Sequence, residues 1–495
     1  MLRSILFLHR WLGVLIGLLM TIWCLSGFVM MYVDYPRLTS AAQMKGLEPL
    51  HLPARDIFAR IDLADDIPLA AASVEMVAGR PVLRLKPGAD TRPAEQMRIT
   101  PAAFDLTTAK PLKPMTQREM RCIAENFGKA RRIGGDLSTL EQTDMDQWTV
   151  QSYRGNAPLY RADFADDAGT QIYIANQSGE VVQETTRFQR FWGWLGAVPH
   201  WLYPTLLRQN GPLWAQVVIW TSVIGCFLTV TGLWVGIARL RRKRDGSIGS
   251  PFRGIWWWHH IFGLFFGILM LTWVASGLLS MNPWGLLDTS GGYVERNQLA
   301  GQMRWADVRS ALRTLPNLGS DTVRVETAPL NGQAFLITTR RDGSAKRLAD
   351  GEPTPLARAE LQDALHAQLG LQALERIDHE DSYYYSHKNP VRLPVWRAVM
   401  SDEDQTLLYI DSVTGEVIRG FDSNGRDFRW LHRGFHSLDL PVLRTRPIWD
   451  LVVIPLLAMV TLVCATGTWM AWNKVKRDIH RWHRRRRKRR TAATC

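Results

Sequence analysis

Apolar and polar residues along this chain are sorted into long blocks. Four apolar runs, at 11–33, 213–238, 256–281 and 448–472, each reach the roughly 20 residues that carry a helix across a bilayer. Between them lie two long polar regions, 34–187 and 282–424. Within these the pattern changes to alternation. TQIYIANQSGEVV at 170–182 and TLLYIDSVTGEVI at 406–418 read as β-hairpins around a Ser-Gly or Thr-Gly turn. Helix-like stretches at 55–63 and 305–312, with strand candidates at 81–86 and 333–340, make each polar region an α+β lobe. Segments 188–212 and 425–447 are rich in aromatic and basic residues, a composition suited to a membrane–water interface. Pro199, Pro204 and Pro441 argue against one long helix in either.

The blocks come in pairs. LHRWLGVLIGLLMTIWCLSG, from Leu8 to Gly27, matches WHHIFGLFFGILMLTWVASG, from Trp258 to Gly277, without a gap at a spacing of 250. His9 falls on His259, Gly13 on Gly263, Gly17 on Gly267, Met20 on Met270, Trp23 on Trp273 and Ser26–Gly27 on Ser276–Gly277. The polar regions repeat at 236: PLYRADF at 158–164 matches PVWRAVM at 394–400, and His200 and Arg208 match His436 and Arg444. The chain is therefore expected to be two copies of one design. The first hairpin departs from the second at Asn176 and Ser178, against Asp411 and Thr414–Gly415, so the lobes need not share a task.

Charge sets the orientation. The net +14 is concentrated at 1–10 (+2), 239–253 (+5) and 473–495 (+10), leaving −3 elsewhere. Basic residues beside apolar runs follow the positive-inside pattern, not a nucleic-acid footprint. The segments at 1–10, 239–255 and 473–495 are then cytoplasmic, both lobes face the other side, and the basic tail reads as a disordered lipid-holding segment. A cleaved signal is the competing reading of the first run, but its copy at 256–281 is internal. Of the cysteines, only Cys122 lies in a large polar region, which leaves no disulfide framework.

His9, Gly13 and Gly17 recur every four residues, as do His259, Gly263 and Gly267, and so stay near one helical face. An imidazole above two glycines offers a ligand and a flat wall for a planar ring. With His200 and His436 at the outer side, four imidazoles at two depths suit two bis-histidine haems. The plainer reading is that Gly-xxx-Gly packs helices and that the histidines are interfacial. His260 and His432, which lack repeat partners, are alternates, and His432 with His436 also has the spacing to clasp a metal ion.

The two HxxxG membrane helices, the outer histidine stretches before the second and fourth spans and the Y-I-D-x-x-T-G-E-V-I hairpins resemble the PepSY-associated transmembrane helix family. The likeness extends from Leu8 to Trp472. These are iron-regulated inner-membrane proteins, some of them ferric-siderophore reductases. The resemblance implies a four-helix bacterial inner-membrane unit with two periplasmic PepSY-like lobes. It also implies two b-type haems ligated by His9, His259, His200 and His436, with Gly13, Gly17, Gly263 and Gly267 against the porphyrins. The expected function is electron transfer to a ferric siderophore or other ferric chelate. No dinucleotide fingerprint occupies the cytoplasmic segments, so a separate flavoprotein or quinol is the expected donor. Candidate chelate contacts are Trp148, Tyr153 and Arg154 in one lobe and Tyr383, Tyr384, Tyr385, His387 and Lys388 in the other, with lobe packing as the plainer explanation. The alternative function is a haem-free PepSY-type membrane protein that binds or regulates a partner such as a peptidase. A coupled carrier is disfavoured by the scarcity of ionisable residues within the spans. A hydrolase is disfavoured because no nucleophile elbow or HExxH motif is present.

Overall fold

The computed structural model describes residues 2–88, 103–242, 246–386 and 390–492. The chain divides into a helical unit (residues 1–35, 191–288 and 427–495) and a sheet-rich unit (36–190 and 289–426).

Among the described residues, four helices of the first unit are long and apolar enough to cross a membrane. They are α1 (Leu2–Met30), α2 (Gly211–Arg239), α3 (Ile255–Leu279) and α4 (Ile448–Ala492). α2 begins where the Asn210 side chain accepts from the Leu213 amide, with Pro212 in the first turn, a combination favoured at helix starts. α1 and α3, the repeat copies, each pack against both α2 and α4, so the two copies stand on one diagonal of the bundle. Its centre is filled by Ile16, Met20, Leu228, Met270, Val460, Val463 and Cys464. Leu15, Phe227, Phe265, Ile268 and Leu451 are exposed on the outer surface.

The helices start or end beyond the apolar runs. α1 begins at Leu2, which places His9 inside the helix. α4 continues through the basic segment to Ala492, so the expected disordered tail is helical over most of its length. Lys and Arg are good helix formers, and the apolar part of α4 has already met the cost of nucleation.

In the second unit, strands Leu137–Thr143, Leu159–Phe164, Gln171–Ala175 and Val181–Thr185 form an antiparallel meander. Leu371–Ile377, Val395–Met400, Leu407–Asp411 and Val417–Phe421 form its copy. The hairpins expected from alternation are the last two strands of each. Each sheet carries one helix: Gln117–Arg131 buries Met120, Ile123 and Phe127 against Ile172 and Ile174, and Arg358–Gln368 buries Leu361 and Leu365 against Leu408 and Ile410. The Gln117 helix opens with a capping box between Thr116 and Glu119. Thr116→Ala is expected to cost about 1 kcal/mol, read as a lower melting temperature of this unit. In both sheets a tyrosine hydroxyl donates to an aspartate at 2.7 Å, Tyr173 to Asp146 and Tyr409 to Asp381. Burial, with the neighbouring carboxylate adding to it, pushes both phenols well above their ordinary range. At the spacing of 236, Ala175 is the residue that stands in the place of Asp411. The neighbouring Asn176 instead donates to the Met115 carbonyl.

The two polar regions are not separate lobes. A third sheet of nine described strands takes hairpins from both. Pro68–Val77 turns through Ala78–Gly79 into Arg80–Pro87, and Thr322–Leu330 turns through Asn331–Gly332 into Gln333–Arg340. Both turns have positive φ at their two central residues (51° and 75°; 50° and 79°), the geometry of tight hairpins that match strand twist. The first strands of the hairpins pair with each other, Val74 opposite Val325 and Glu75 opposite Arg324. The Glu75 carboxylate lies buried between Arg84 and Arg324, with Arg324 Nη2 at 2.8 Å.

Candidate imidazole sites in the helical bundle

Each of the four repeat-paired histidines presents its Nδ1 to a backbone carbonyl of a neighbouring element. His9 Nδ1 lies 3.1 Å from the Leu228 carbonyl on α2, and His259 Nδ1 lies 3.1 Å from the Val463 carbonyl on α4. His200, at the end of a short helix (Ala197–His200), points Nδ1 at the Trp23 carbonyl of α1 at 3.2 Å. His436, just after a wide helical turn (Arg429–Gly434), points Nδ1 at the Trp273 carbonyl of α3 at 3.1 Å. A carbonyl only accepts, so each Nδ1 carries the proton and each Nε2 keeps its lone pair.

Hydroxyls reinforce the arrangement. Ser26 and Ser276 lie 3.1 and 3.2 Å from the Nδ1 atoms of His200 and His436, while donating at 3.0 Å to the same Trp23 and Trp273 carbonyls. With its proton committed, each serine oxygen accepts from the imidazole. Thr231 and Thr466 stand in the same relation to His9 and His259, at 3.4 and 3.1 Å, and both donate back along their own helices. Four threonine and serine hydroxyls and four carbonyls thus orient four rings in two related pairs.

Glycines provide the space. A Cβ on Gly232 would lie 2.8 Å from His9 Cε1, and one on Gly467 would lie 3.0 Å from His259 Cε1. A Cβ on Gly277 would lie 3.3 Å from His436 Cε1, and one on Gly27 3.9 Å from His200 Cε1. The sequence showed Ser26–Gly27 and Ser276–Gly277 as repeat partners without assigning them a role. It did not reveal Thr231–Gly232 and Thr466–Gly467, which repeat at 235, one residue out of step with the outer segments.

The Gly-xxx-Gly positions divide into two kinds. A Cβ on Gly263 meets nothing within 4 Å, and one on Gly13 reaches only Leu228 Cδ1 at 4.0 Å. Gly17 instead packs on Thr468 of α4 and Gly267 on Leu233 of α2, with Cβ contacts of 3.3 and 2.7 Å. The second pair therefore seats helices, and the open faces lie at Gly13 and Gly263, one turn from the inner imidazoles.

The outer rings are brought together: the His200 and His436 centroids are 6.0 Å apart, with planes at 70°. At this separation the two imidazoles would be able to hold one iron between them. His9 and His259 lie on α1 and α3, the diagonal helices of the bundle.

Of the alternates, His260 uses both ring nitrogens, on Ser250 Oγ at 2.8 Å and the Gly236 carbonyl at 2.7 Å, so it has no lone pair to offer. His432 points Nδ1 at the Ser276 carbonyl at 3.1 Å, with its ring 5.2 Å from that of His436. Its counterpart Gly196 packs on Val29, 2.7 Å from where a Cβ would sit, so the first half has no room for such an imidazole. Among the described residues no three His, Cys, Asp or Glu side chains form a metal cage, and a bare ion at His432 and His436 gains no further donor.

The aromatic residues suggested as chelate contacts are mostly structural. Trp148, Tyr384 and Tyr385 are buried. Tyr384 stacks on Tyr409 at 5.0 Å and donates to the Arg392 carbonyl, and the Trp148 backbone amide donates to Asp146 Oδ1 at 2.9 Å. Tyr383 packs against Phe421 with ring planes tilted at 52°, whereas Tyr153 and Arg154 lie on a four-residue helix without buried side chains. His387 and Lys388 lie outside the described residues. No protein-family model matches this chain, and no curated protein matches it at a significant level.

Proposed function

We propose that this chain is a membrane oxidoreductase in which His9 with His259, and His200 with His436, hold two b-type haems. It would pass electrons across a bacterial inner membrane to a ferric chelate on the periplasmic side. The observation that carries the proposal is the set of four repeat-paired imidazoles with Nδ1–H committed to a carbonyl and Nε2 left to bind. Histidine ligands of metals are oriented in this way by a second hydrogen bond. Haem iron held by two imidazoles supplies reversible one-electron transfer. The chain's own part is to fix the tautomers through the Leu228, Val463, Trp23 and Trp273 carbonyls, and to keep water out with the apolar centre around Met20 and Met270. Its basic segments, 1–10, 239–255 and 473–495, favour a topology with both termini cytoplasmic. The chain's likeness to the PepSY-associated transmembrane helix family points the same way. Electrons would come from a separate flavoprotein or membrane quinol.

Protein purified in detergent is expected to be red, with a reversible low-spin haem spectrum and two haems per chain. Colourless protein made with ample haem would overturn the proposal and favour the haem-free partner-binding reading. Gly467→Val and Gly232→Val, which crowd the inner imidazoles at the contacts described above, are expected to lower haem content and leave the outer pair loaded. Haem-to-protein ratio and the spectrum of the remaining haem check this.

A further inference from the structure

The sheet-rich unit holds a cleft of about 480 Å³ lined by Arg37, Arg296, Arg392 and Arg419, with Tyr384 and Asp411 at its wall. Small-molecule sites fall in the range of about 300–1,000 Å³. Glu416 also lines the cleft, 3.5 Å from Arg296, so four cations stand against two carboxylates. Asp411 is not free to oppose a ligand. It is buried, one oxygen accepts the Val413 and Thr414 amides, and the other takes Arg392 Nη1 at 2.6 Å. Arg392 itself is 62% exposed. Arg419 is steadied over the Tyr384 ring, 5.4 Å from its centroid, and by the Tyr385 carbonyl at 3.3 Å.

The repeat separates what the fold needs from what this cleft adds. At the spacing of 236, Arg419 corresponds to Gln183, Arg392 to Asn156 and Asp411 to Ala175. The first sheet folds with none of these charges. There Gln183 is buried and ties the chain in, donating to the Pro36 and Trp148 carbonyls at 2.9 and 2.8 Å and accepting from Leu38 N at 3.0 Å. One copy of the design closes this corner with backbone; the other leaves it open and lines it with guanidinium groups.

We infer that the cleft is a recognition site for a small polyanion, and that the ferric chelate handled by this protein is one rich in carboxylate oxygens. The inference rests on the reductase reading given above. Guanidinium forks bind carboxylates in a bidentate, charge-assisted manner, and a neutral chelate would draw nothing from the excess of four guanidinium groups over two carboxylates in the lining.

The test uses the full-length protein in detergent and gallium(III) citrate, a ferric mimic that is not reduced, with binding followed by calorimetry. Saturable binding is expected. Arg419→Gln, which installs the residue of the first sheet, and Arg37→Gln, at an exposed position, are each expected to weaken it about tenfold or more. The haem spectrum should stay unchanged. A neutral gallium trihydroxamate should bind at least about tenfold more weakly. The inference is overturned if gallium citrate does not saturate, if the neutral chelate binds as tightly, or if both substitutions leave binding unchanged. Inorganic phosphate binding as tightly as the citrate complex would also overturn the assignment to a chelate. Red protein that ignores gallium citrate sinks this inference alone. Colourless protein that binds it sinks the reductase reading alone.

Discussion

His200→Ala is expected to leave purified protein with about one haem per chain in place of two. His436→Ala should do the same, and the double variant should lose no more than either alone. The reason is geometric: the two outer rings stand 6.0 Å apart, and each is held by a carbonyl and a serine of the adjacent helix. Removing one ring leaves a single imidazole, which holds haem far more weakly than two. The inner imidazoles sit on other carbonyls, at Leu228 and Val463, so their haem should remain and should still be reduced by dithionite. Transfer to a ferric acceptor should fall to near background. Haem content by pyridine haemochrome, with reoxidation of the reduced protein by a ferric chelate, reads both effects. Two haems per chain in both single variants would show that these imidazoles are not the ligands.

Glu75→Ala is expected to destabilise the sheet-rich unit by about 3–5 kcal/mol, the cost of breaking a buried ion pair by removing one partner. The carboxylate lies 3% exposed between Arg84 and Arg324, one arginine from each half of the chain. Its removal leaves two guanidinium groups facing each other in a sheet. Burial alone would raise the Glu75 carboxyl, but Arg84 and Arg324 outweigh it and hold it below the ordinary carboxylate value. Its stabilisation is therefore present in full above that ordinary value, and is lost as pH falls through the lower folded value. Acid melting curves of wild type and Glu75→Gln should converge at low pH and separate as pH rises through the carboxylate range. Curves that stay parallel throughout would show that the clamp contributes nothing through ionisation.

What the sequence made legible was the material copied without a gap. The spacing of 250 carries His9 to His259 and Ser26 to Ser276, and the spacing of 236 carries His200 to His436. These also proved to be the residues whose contacts are related in three dimensions. Thr231–Gly232 and Thr466–Gly467 went unseen because their spacing of 235 falls between those registers. The division of the glycines was invisible for another reason. Gly13 and Gly17 have the same local pattern, and only the neighbouring helix distinguishes an open face from a packed one. Alternation marked Gln333–Arg340 and the last hairpins correctly, but it says nothing about which strand lies alongside. The pairing of Pro68–Val77 with Thr322–Leu330 spans about half the chain and reads locally as two unrelated strands. The basic tail was misread because composition describes charge, whereas continuation of α4 depends on the helix already formed before it.

The antiparallel pairing of Val74 with Val325 places related strands about a local dyad, the arrangement by which identical subunits most often join. Each proposed iron would likewise take one imidazole from each half. A chain cut between α2 and α3 would therefore yield two fragments that each bear an uncovered strand edge and single, unmatched ligands. Fold and chemistry alike would return only on reassociation, as in a dimer whose subunits have been tied into one polypeptide.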